Sequence, residues 1–420
     1  MASDDTLAQL NAGKLVGAKH IKISAGLTHF PAALYTLADT LEILDLTGNQ
    51  LSNLPDDLTR FTQLRILFCS SNQFKHLPEV LGECHQLSMI GFKANQIAHI
   101  AEHAIPTQSL RWFIVTDNQL ERVPDSLGDC AKLQKLMLAG NQLASLPERL
   151  QQCKSLELLR IAANRFESLP LWLLDMPKLA WLAYAGNPFN QFSPQLEFRQ
   201  SAKQVIDWSK LQLQHVLGEG ASGITYQAVL KSDNHDKELV AVKLFKAGMT
   251  SDGLPDCEMQ ASLLAGEHPN LVGPKGVISR HPEGKQGLVM PLLDANLTIL
   301  AGPPSFESCS RDVYAPTTKL SLSQAAHIAK GVWNAMQHLH ASGILHGDLY
   351  AHNILWNDEQ VVLSDLGGAS LLPLADVVAT EKLIALDRRA FSILLEELAH
   401  CCDASVEELS QCLNGGGLTP

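Results

Sequence analysis

The chain has 420 residues, 46% hydrophobic and 18% charged, which is room for two or three domains with separate cores. Its formal charge of −12, from 32 Lys and Arg against 44 Asp and Glu, argues against an extended nucleic-acid surface, because phosphate binding needs clustered positive charge. No apolar run reaches the length of a membrane span, and the opening MASDDTLAQLNAGK lacks the basic and apolar regions of a secretory signal, so the expected location is the cytoplasm. The nine cysteines form no CxxC pair and no Cys/His ligand series, and are expected to be small core residues in a reducing compartment.

The first half repeats itself. Asn49, Asn72, Asn95, Asn118, Asn141, Asn164 and Asn187 recur every 23 residues, each inside a pattern of the form LxxLxLxxNxLxxLPxxL. This is the leucine-rich-repeat signature. Each unit supplies a short strand with inward apolar side chains, and its Asn can bond backbone groups where the chain leaves the strand. One unit cannot bury its leucines alone, so neighbours must stack into a solenoid. IKISAGLTHFP, residues 21–31, reads as a degenerate first unit with Gly26 where Asn is expected, and PFNQFSPQLEF after Asn187 reads as a C-terminal cap with Phe189, Phe192 and Phe198. The expected repeat domain is 15–210.

On the concave face the non-leucine strand positions form a column of Ile43, Ile66, Met89, Trp112, Lys135, Leu158 and Trp181, with Phe68, Ile114 and Met137 beside it. Such an apolar stripe suits a protein-binding surface with Trp112, Trp181, Phe68 and Ile114 as anchors; packing of these side chains among themselves or on the next domain is the alternative.

The second half changes character. Gly218, Gly220 and Gly223 form a GxGxxG between two strand-type stretches, a turn whose backbone N–H groups could approach phosphates. VAVK then places Lys243 at the end of an apolar strand, and Glu258 follows on a helical pattern, where it could hold that Lys charged and aimed. The long helical stretch LSLSQAAHIAKGVWNAMQHLH leads into HGDLYAHNIL, which carries Asp348 and Asn353, and the strand VVL leads to Asp365. In this order the residues match phosphoryl transfer: nucleotide contacts at Gly218, Gly220, Gly223 and Lys243, a carboxylate at Asp348 near the incoming hydroxyl, and metal ligands at Asn353 and Asp365.

These motifs resemble a protein kinase domain, expected over 211–420, with HGDLYAHNIL similar to an HRDLKPENIL loop and DLG similar to DFG. With the repeats, the chain resembles bacterial leucine-rich-repeat protein kinases. The resemblance implies an α/β solenoid followed by an α+β bilobal domain with a shortened C-lobe, ATP and Mg²⁺ as cofactors, Asp348, Lys243 and Glu258 as catalytic residues, and transfer to protein, of Ser/Thr type. It also has departures. Gly347 replaces the Arg that reads an activation-loop phosphate, which argues against that form of control. Tyr350 replaces the Lys that neutralises the transferring group, leaving His352 or another group to substitute. Only 21 residues separate Asp365 from Asp387, with no APE motif between them. Asp387, in LDRRAFSILLEEL, is expected to bond the backbone of the catalytic loop. A small-molecule kinase of the aminoglycoside-phosphotransferase type and a nucleotide-binding pseudokinase scaffold are the competing readings.

Overall fold

The computed structural model describes residues 3–191, 204–231 and 237–414. Phe192 and Phe198 of the expected cap lie outside these. The chain divides into two compact units, Met1–Leu179 with Asn187–Phe189, and Ala180–Gly186 with Asn190–Pro420.

The first unit opens with a helix, α1 (Ser3–Asn11), and then repeats one device. Strands β1 (His20–Lys22), β2 (Ile43–Asp45), β3 (Ile66–Phe68), β4 (Met89–Gly91), β5 (Trp112–Ile114), β6 (Lys135–Met137) and β7 (Leu158–Arg160) pair in parallel, each residue beside its equivalent in the next repeat. The central residues Leu44, Leu67, Ile90, Phe113, Leu136 and Leu159 are fully buried. After each strand the chain turns back through a short 3₁₀ segment. In five repeats it begins just after a proline (Pro31, Pro78, Pro124, Pro147 and Pro170) and buries a leucine (Leu34, Leu81, Leu127, Leu150 and Leu173). Proline fits there because its fixed φ presets the turn and its missing N–H costs nothing.

The repeated Asn closes each turn. Asn141 donates from Nδ2 to Val115 O and to Leu138 O, both at 2.9 Å, and its Oδ1 accepts the Leu120 N–H at 3.0 Å. Asn49, Asn118 and Asn164 do the same in their repeats. To bring the side chain there, the preceding residue takes a left-handed backbone conformation in each repeat, at Gly48, Ser71, Ala94, Asp117, Gly140 and Ala163. Four of these six are not glycine, and each such residue bears about 1 kcal/mol of strain. The Asn bonds outweigh this, because an unpaired buried backbone group costs about 1–3 kcal/mol.

The concave column is less open than the sequence suggested. Ile66, Met89, Lys135 and Leu158 are buried; Phe68, Trp112 and Ile114 are half-buried. The side chains cover one another. Phe68 lies across Gly91, where any Cβ would strike its ring. Trp112 takes the Lys135 ammonium over its ring at 4.7 Å and donates its indole N–H to Met137 Sδ at 3.3 Å.

In the second unit β8 (Trp181–Ala183) comes first, followed by a six-stranded sheet of β9 (Gln204–Asp207), β10 (Leu211–Glu219), β11 (Gly223–Lys231), β12 (Lys237–Phe245), β13 (Gly276–Ser279) and β14 (Gly287–Pro291). The order across the sheet is β10-β11-β12-β14-β13-β9, antiparallel except for the β13/β9 pair. The central strand β12 has Val240, Ala241, Val242, Leu244 and Phe245 buried, divided between one apolar cluster on each face. A helix, α2 (Pro255–Ala265), starts with proline in its first turn and stops at Gly266.

A small three-stranded sheet, one strand pair and three helices complete the described part of the unit. Strands β15 (Thr298–Ile299), β17 (Ile354–Trp356) and β18 (Val361–Leu363) form one small sheet, and β16 (Ile344–Leu345) pairs with β19 (Ser370–Leu371). Helix α3 (Leu322–Ala341) starts at a Ser321/Gln324 capping box, α4 (Val377–Cys401) is capped by Asp376, and α5 (Val406–Asn414) follows. The fold is thus an array of parallel-stranded repeats followed by a unit that joins a six-stranded mixed sheet to small strand groups and helices. No helix among the described residues is long and apolar enough to cross a membrane.

Two substitutions test the repeat turn in opposite directions. Asn141→Ala should lower stability by about 2 kcal/mol through its unpaired backbone groups. Ala163→Gly should raise it by about 1 kcal/mol through release of left-handed strain. Urea midpoints of the full chain read both, and equal midpoints for the two variants would contradict this account of the turn.

Candidate active site

The predicted site residues lie around one cleft of about 610 Å³ in the second unit, lined by Gly218, Lys243, Glu258, Asn353 and Asp365 with Ala241, Met290, Leu355 and Leu363 as apolar walls. Gly220 and Gly223 stand in the adjoining hairpin, where Gly220 N–H donates to Gly223 O at 2.9 Å. A Cβ at Gly218 or Gly220 would meet nothing, so this turn is open on its outer side, whereas one at Gly223 would strike the Leu244 carbonyl. Asp348 is brought beside the cleft by Asn353, whose Nδ2 donates to Asp348 O at 3.1 Å and to Asp348 Oδ2 at 3.3 Å. A second groove of about 680 Å³, lined by Tyr226, Leu244, Leu254 and Lys285, holds none of these residues.

Lys243 and Glu258 form an ion pair, with only 5% of the Glu side chain exposed. Strand β12 fixes the Lys by its register, and the first turn of α2 carries the Glu. Burial raises the Glu258 carboxyl above its usual range against the pull of Lys243, and the Asp365 charge adds to the rise. The pair therefore sits beside a second carboxylate, an arrangement suited to a cation or phosphate between them. Asp365 Oδ1 accepts the Gly367 N–H at 2.7 Å, and Ser364 ties this strand end to Asn353 O through its N–H and its hydroxyl, each at 2.9 Å.

No group of three His, Cys, Asp or Glu side chains that could hold a metal occurs among the described residues. Asp365 and Asn353 both line the cleft, and Mg²⁺ takes few protein ligands where phosphate and water supply the rest.

The loop before Asp348 hangs on Asp387. This fully buried carboxylate, on α4, accepts the His346 N–H at 2.9 Å, the Gly347 N–H at 3.0 Å and the His340 Nε2 proton at 2.8 Å. Burial alone would raise its pKa, but His340 and the loop donors outweigh that and pull it below the ordinary value. The expected bond from Asp387 to the loop backbone is present; His340, a side chain from the end of α3, is an addition that its sequence position did not reveal.

His352 also has an unforeseen partner. Asp312 accepts its Nδ1 proton at 2.7 Å and its backbone N–H at 3.1 Å. Burial disfavours charge on His352, yet the Asp312 bond and charge, with Asp348 and Asp365 beyond, outweigh it and raise the pKa above the usual histidine value. Tyr350 lies between two rings, stacked on Trp181 with 4.4 Å between centroids and tilted against His352 at 5.1 Å. Trp181 is therefore not a solvent-facing anchor: it is 1% exposed, and its partner is the catalytic-type loop. Asp312 lies far from the loop in no motif, and Trp181 was visible only as a member of the repeat column, for which packing on the next domain was one of two readings.

Residues 211–383 match the family described as protein tyrosine and serine/threonine kinase, and residues 40–61 match the leucine-rich repeat. The second unit thus carries a protein kinase domain, and the chain joins it to a leucine-rich-repeat array. Over 183 residues it is 31% identical to cyclin-dependent kinase 10 of Bos taurus, covering 43% of this chain and 46% of that one. Over 184 residues it is 29% identical to ephrin type-B receptor 3 of Xenopus laevis, covering 43% and 17%. The chain spans less than half the length of these relatives. A solved leucine-rich-repeat protein of Leptospira interrogans aligns with a TM-score of 0.33 at 25% identity, over 42% of this chain and 50% of that chain.

A pH prediction follows from Glu397 on α4, which accepts the Tyr314 hydroxyl at 3.1 Å. Burial and the nearby Asp312 charge raise its pKa from 4.5 to about 7, against Tyr314 and Arg311, with Glu396 adding slightly. Between these values the folded chain holds a proton that the unfolded chain releases, so its stabilisation is full below the lower value and is lost as pH rises through the higher one. Glu397→Gln should remove about 2 kcal/mol of that decline. Denaturant titrations at pH 5 and pH 8 measure it, and an unchanged pH slope in the variant would count against the shift.

Proposed function

We propose that this protein is an ATP- and Mg²⁺-dependent protein kinase of Ser/Thr type whose repeat array binds a protein partner or substrate. The observation that carries the reading is the convergence of the Lys243–Glu258 ion pair with Asp365 and Asn353 on one cleft, with Asp348 held beside it. In this reading Lys243 contacts the nucleotide phosphates and Glu258 keeps it aimed, while the backbone from Gly218 to Gly223 covers the phosphate chain. Asn353 and Asp365 would hold Mg²⁺, and the ion would supply positive charge for the transferring group. Asp348 accepts the hydroxyl proton of the acceptor as the new P–O bond forms and the bond from the γ-phosphorus to the bridging oxygen breaks, with ADP as the leaving group. His352, whose charged form the Asp312 bond favours, would supply positive charge for the phosphoryl oxygens in place of the missing lysine.

One feature favours a second reading. Helix α4 begins at Val377, soon after Asp365, leaving little chain for a peptide-docking platform. Transfer to a small molecule, as in aminoglycoside-type phosphotransferases, fits that economy. Nucleotide binding without turnover, as in a pseudokinase scaffold, has no comparable support.

Radiolabelled ATP with Mg²⁺ decides between these. Wild type should label itself or casein, and Asp348→Asn and Lys243→Met should each reduce labelling by about 10²-fold or more, the loss expected when a transition-state contact is removed. Labelling confined to small molecules of a cell extract would favour the second reading. Equal labelling by wild type and Asp348→Asn would refute phosphotransfer at this site.

For the array, Trp112, Phe68 and Ile114 remain the proposed partner anchors. Trp112→Ala together with Ile114→Ala should weaken capture of the physiological substrate about ten-fold or more, as loss of interface anchors does, while casein labelling stays unchanged. Unaltered capture would remove the concave face as the binding surface.

A further inference from the structure

Gly347 occupies the place where a kinase of the resembled type carries an arginine, and its surroundings explain why no side chain fits. Its φ is +68°, in the left-handed region, and a Cβ there would strike the carbonyls of Leu182 and Gly368. Leu182 belongs to β8. The same short segment touches the loop again just after Asp348: the Trp181 indole N–H donates to Leu349 O at 2.8 Å, and the Trp181 ring lies on Tyr350 at 4.4 Å and 8°. The Arg311 guanidinium stands 5.3 Å from the centroid of the same indole.

Further along, the segment grips the chain that follows Asp365. Tyr184 N–H donates to Ser370 Oγ at 3.0 Å and Tyr184 OH to Leu371 O at 2.9 Å. Asn190 pairs with Leu371 in both senses, Nδ2 to O at 2.8 Å and N–H to Oδ1 at 3.1 Å. Residues Ser370–Leu371 form β19, whose partner β16 leads directly into His346. One stretch, Trp181 to Asn190, therefore bonds both chain segments that bear the reacting carboxylates.

We propose that this stretch is a built-in clamp on the catalytic loop, with Trp181 as a positioning residue for Asp348. The inference rests on the phosphotransfer reading above for its catalytic consequence, though not for the clamp itself. The clamp supplies by hydrogen bonds and an aromatic stack the loop order that a phosphorylated activation segment supplies through an arginine. The indole fixes Leu349 and Tyr350, the residues next to Asp348, and the Leu182 carbonyl occupies the space that a side chain at 347 would need. Such a device is always engaged once the chain is folded, so turnover requires no prior phosphorylation.

The test uses the full chain with Trp181→Ala, Trp181→Phe, Tyr350→Leu and the Trp181→Ala/Tyr350→Leu pair, read by hydrogen exchange of residues 345–353 and by casein labelling. Trp181→Ala should speed exchange across the loop about ten-fold while leaving residues 211–231 unaltered, the pattern of a local opening. It should lower kcat about 10²-fold with KM for ATP within about three-fold, since misplacing a reacting group costs rate and spares nucleotide contacts. Trp181→Phe, which keeps the stack, should retain most of the rate, and the double variant should lose little beyond Trp181→Ala.

Unchanged loop exchange in Trp181→Ala and in Tyr350→Leu would overturn the clamp. Faster exchange with unchanged kcat would overturn the positioning role. If Trp181→Ala fails to fold, Tyr350→Leu carries both readouts. If wild type transfers no phosphate to any acceptor, the phosphotransfer reading falls, and hydrogen exchange alone decides whether the clamp exists.

Discussion

A single buried carboxylate sets the geometry of the kinase-type unit. Asp387 is fully enclosed and would be costly as an anion without partners, so its oxygens require donors. It finds them in two successive backbone N–H groups, of His346 and Gly347, and in His340 from a third element. Directly after these two N–H groups the chain turns at Gly347, which takes a left-handed conformation. The bend in turn delivers Asp348 and Asn353 to the cleft. Helix α4, the loop and the end of α3 are thus held by the same charge, and loss of any donor would leave a buried anion in want of a partner.

The repeat array solves a related problem by different means. There the polar groups in want of partners are backbone atoms at each exit from a strand, and a neutral Asn with two donors and one acceptor in use matches them. An amide carries no desolvated charge, so it can recur in successive turns of a stack without accumulated repulsion. A charge is used once, where several elements meet; an amide is used wherever the same turn returns.

What was legible in the sequence follows from how local each interaction is. The 23-residue period was plain because each Asn bonds its own and its neighbouring repeat, so the constraint is rewritten at every turn. Lys243, Glu258, Asn353 and Asp365 were legible because each sits at a fixed place on a strand, helix or loop whose pattern is itself visible. The bond from Asp387 to the loop was foreseen on the same ground. The Asp312–His352 and Trp181–Tyr350 pairs were not, since each joins positions far apart along the chain and neither partner breaks a local rule. For the apolar concave column the sequence left two readings open, partner binding and mutual packing, and could not rank them. Periodicity says which way a side chain leaves the strand, but Phe68 over Gly91 and Lys135 over Trp112 depend on the sizes of particular neighbours.

The boundary between the two compact units bears on how such chains can be assembled by recombination. A crossover that joined this kinase fold to another array at residue 211 would discard Trp181, Tyr184 and Asn190, and with them the bonds to Leu349, Ser370 and Leu371. A crossover at residue 180 would carry them along. The eighth repeat strand is therefore inherited with the kinase fold, whatever the repeats before it become, and the count of repeats upstream is free to drift in a way that the residues from Trp181 to Asn190 are not.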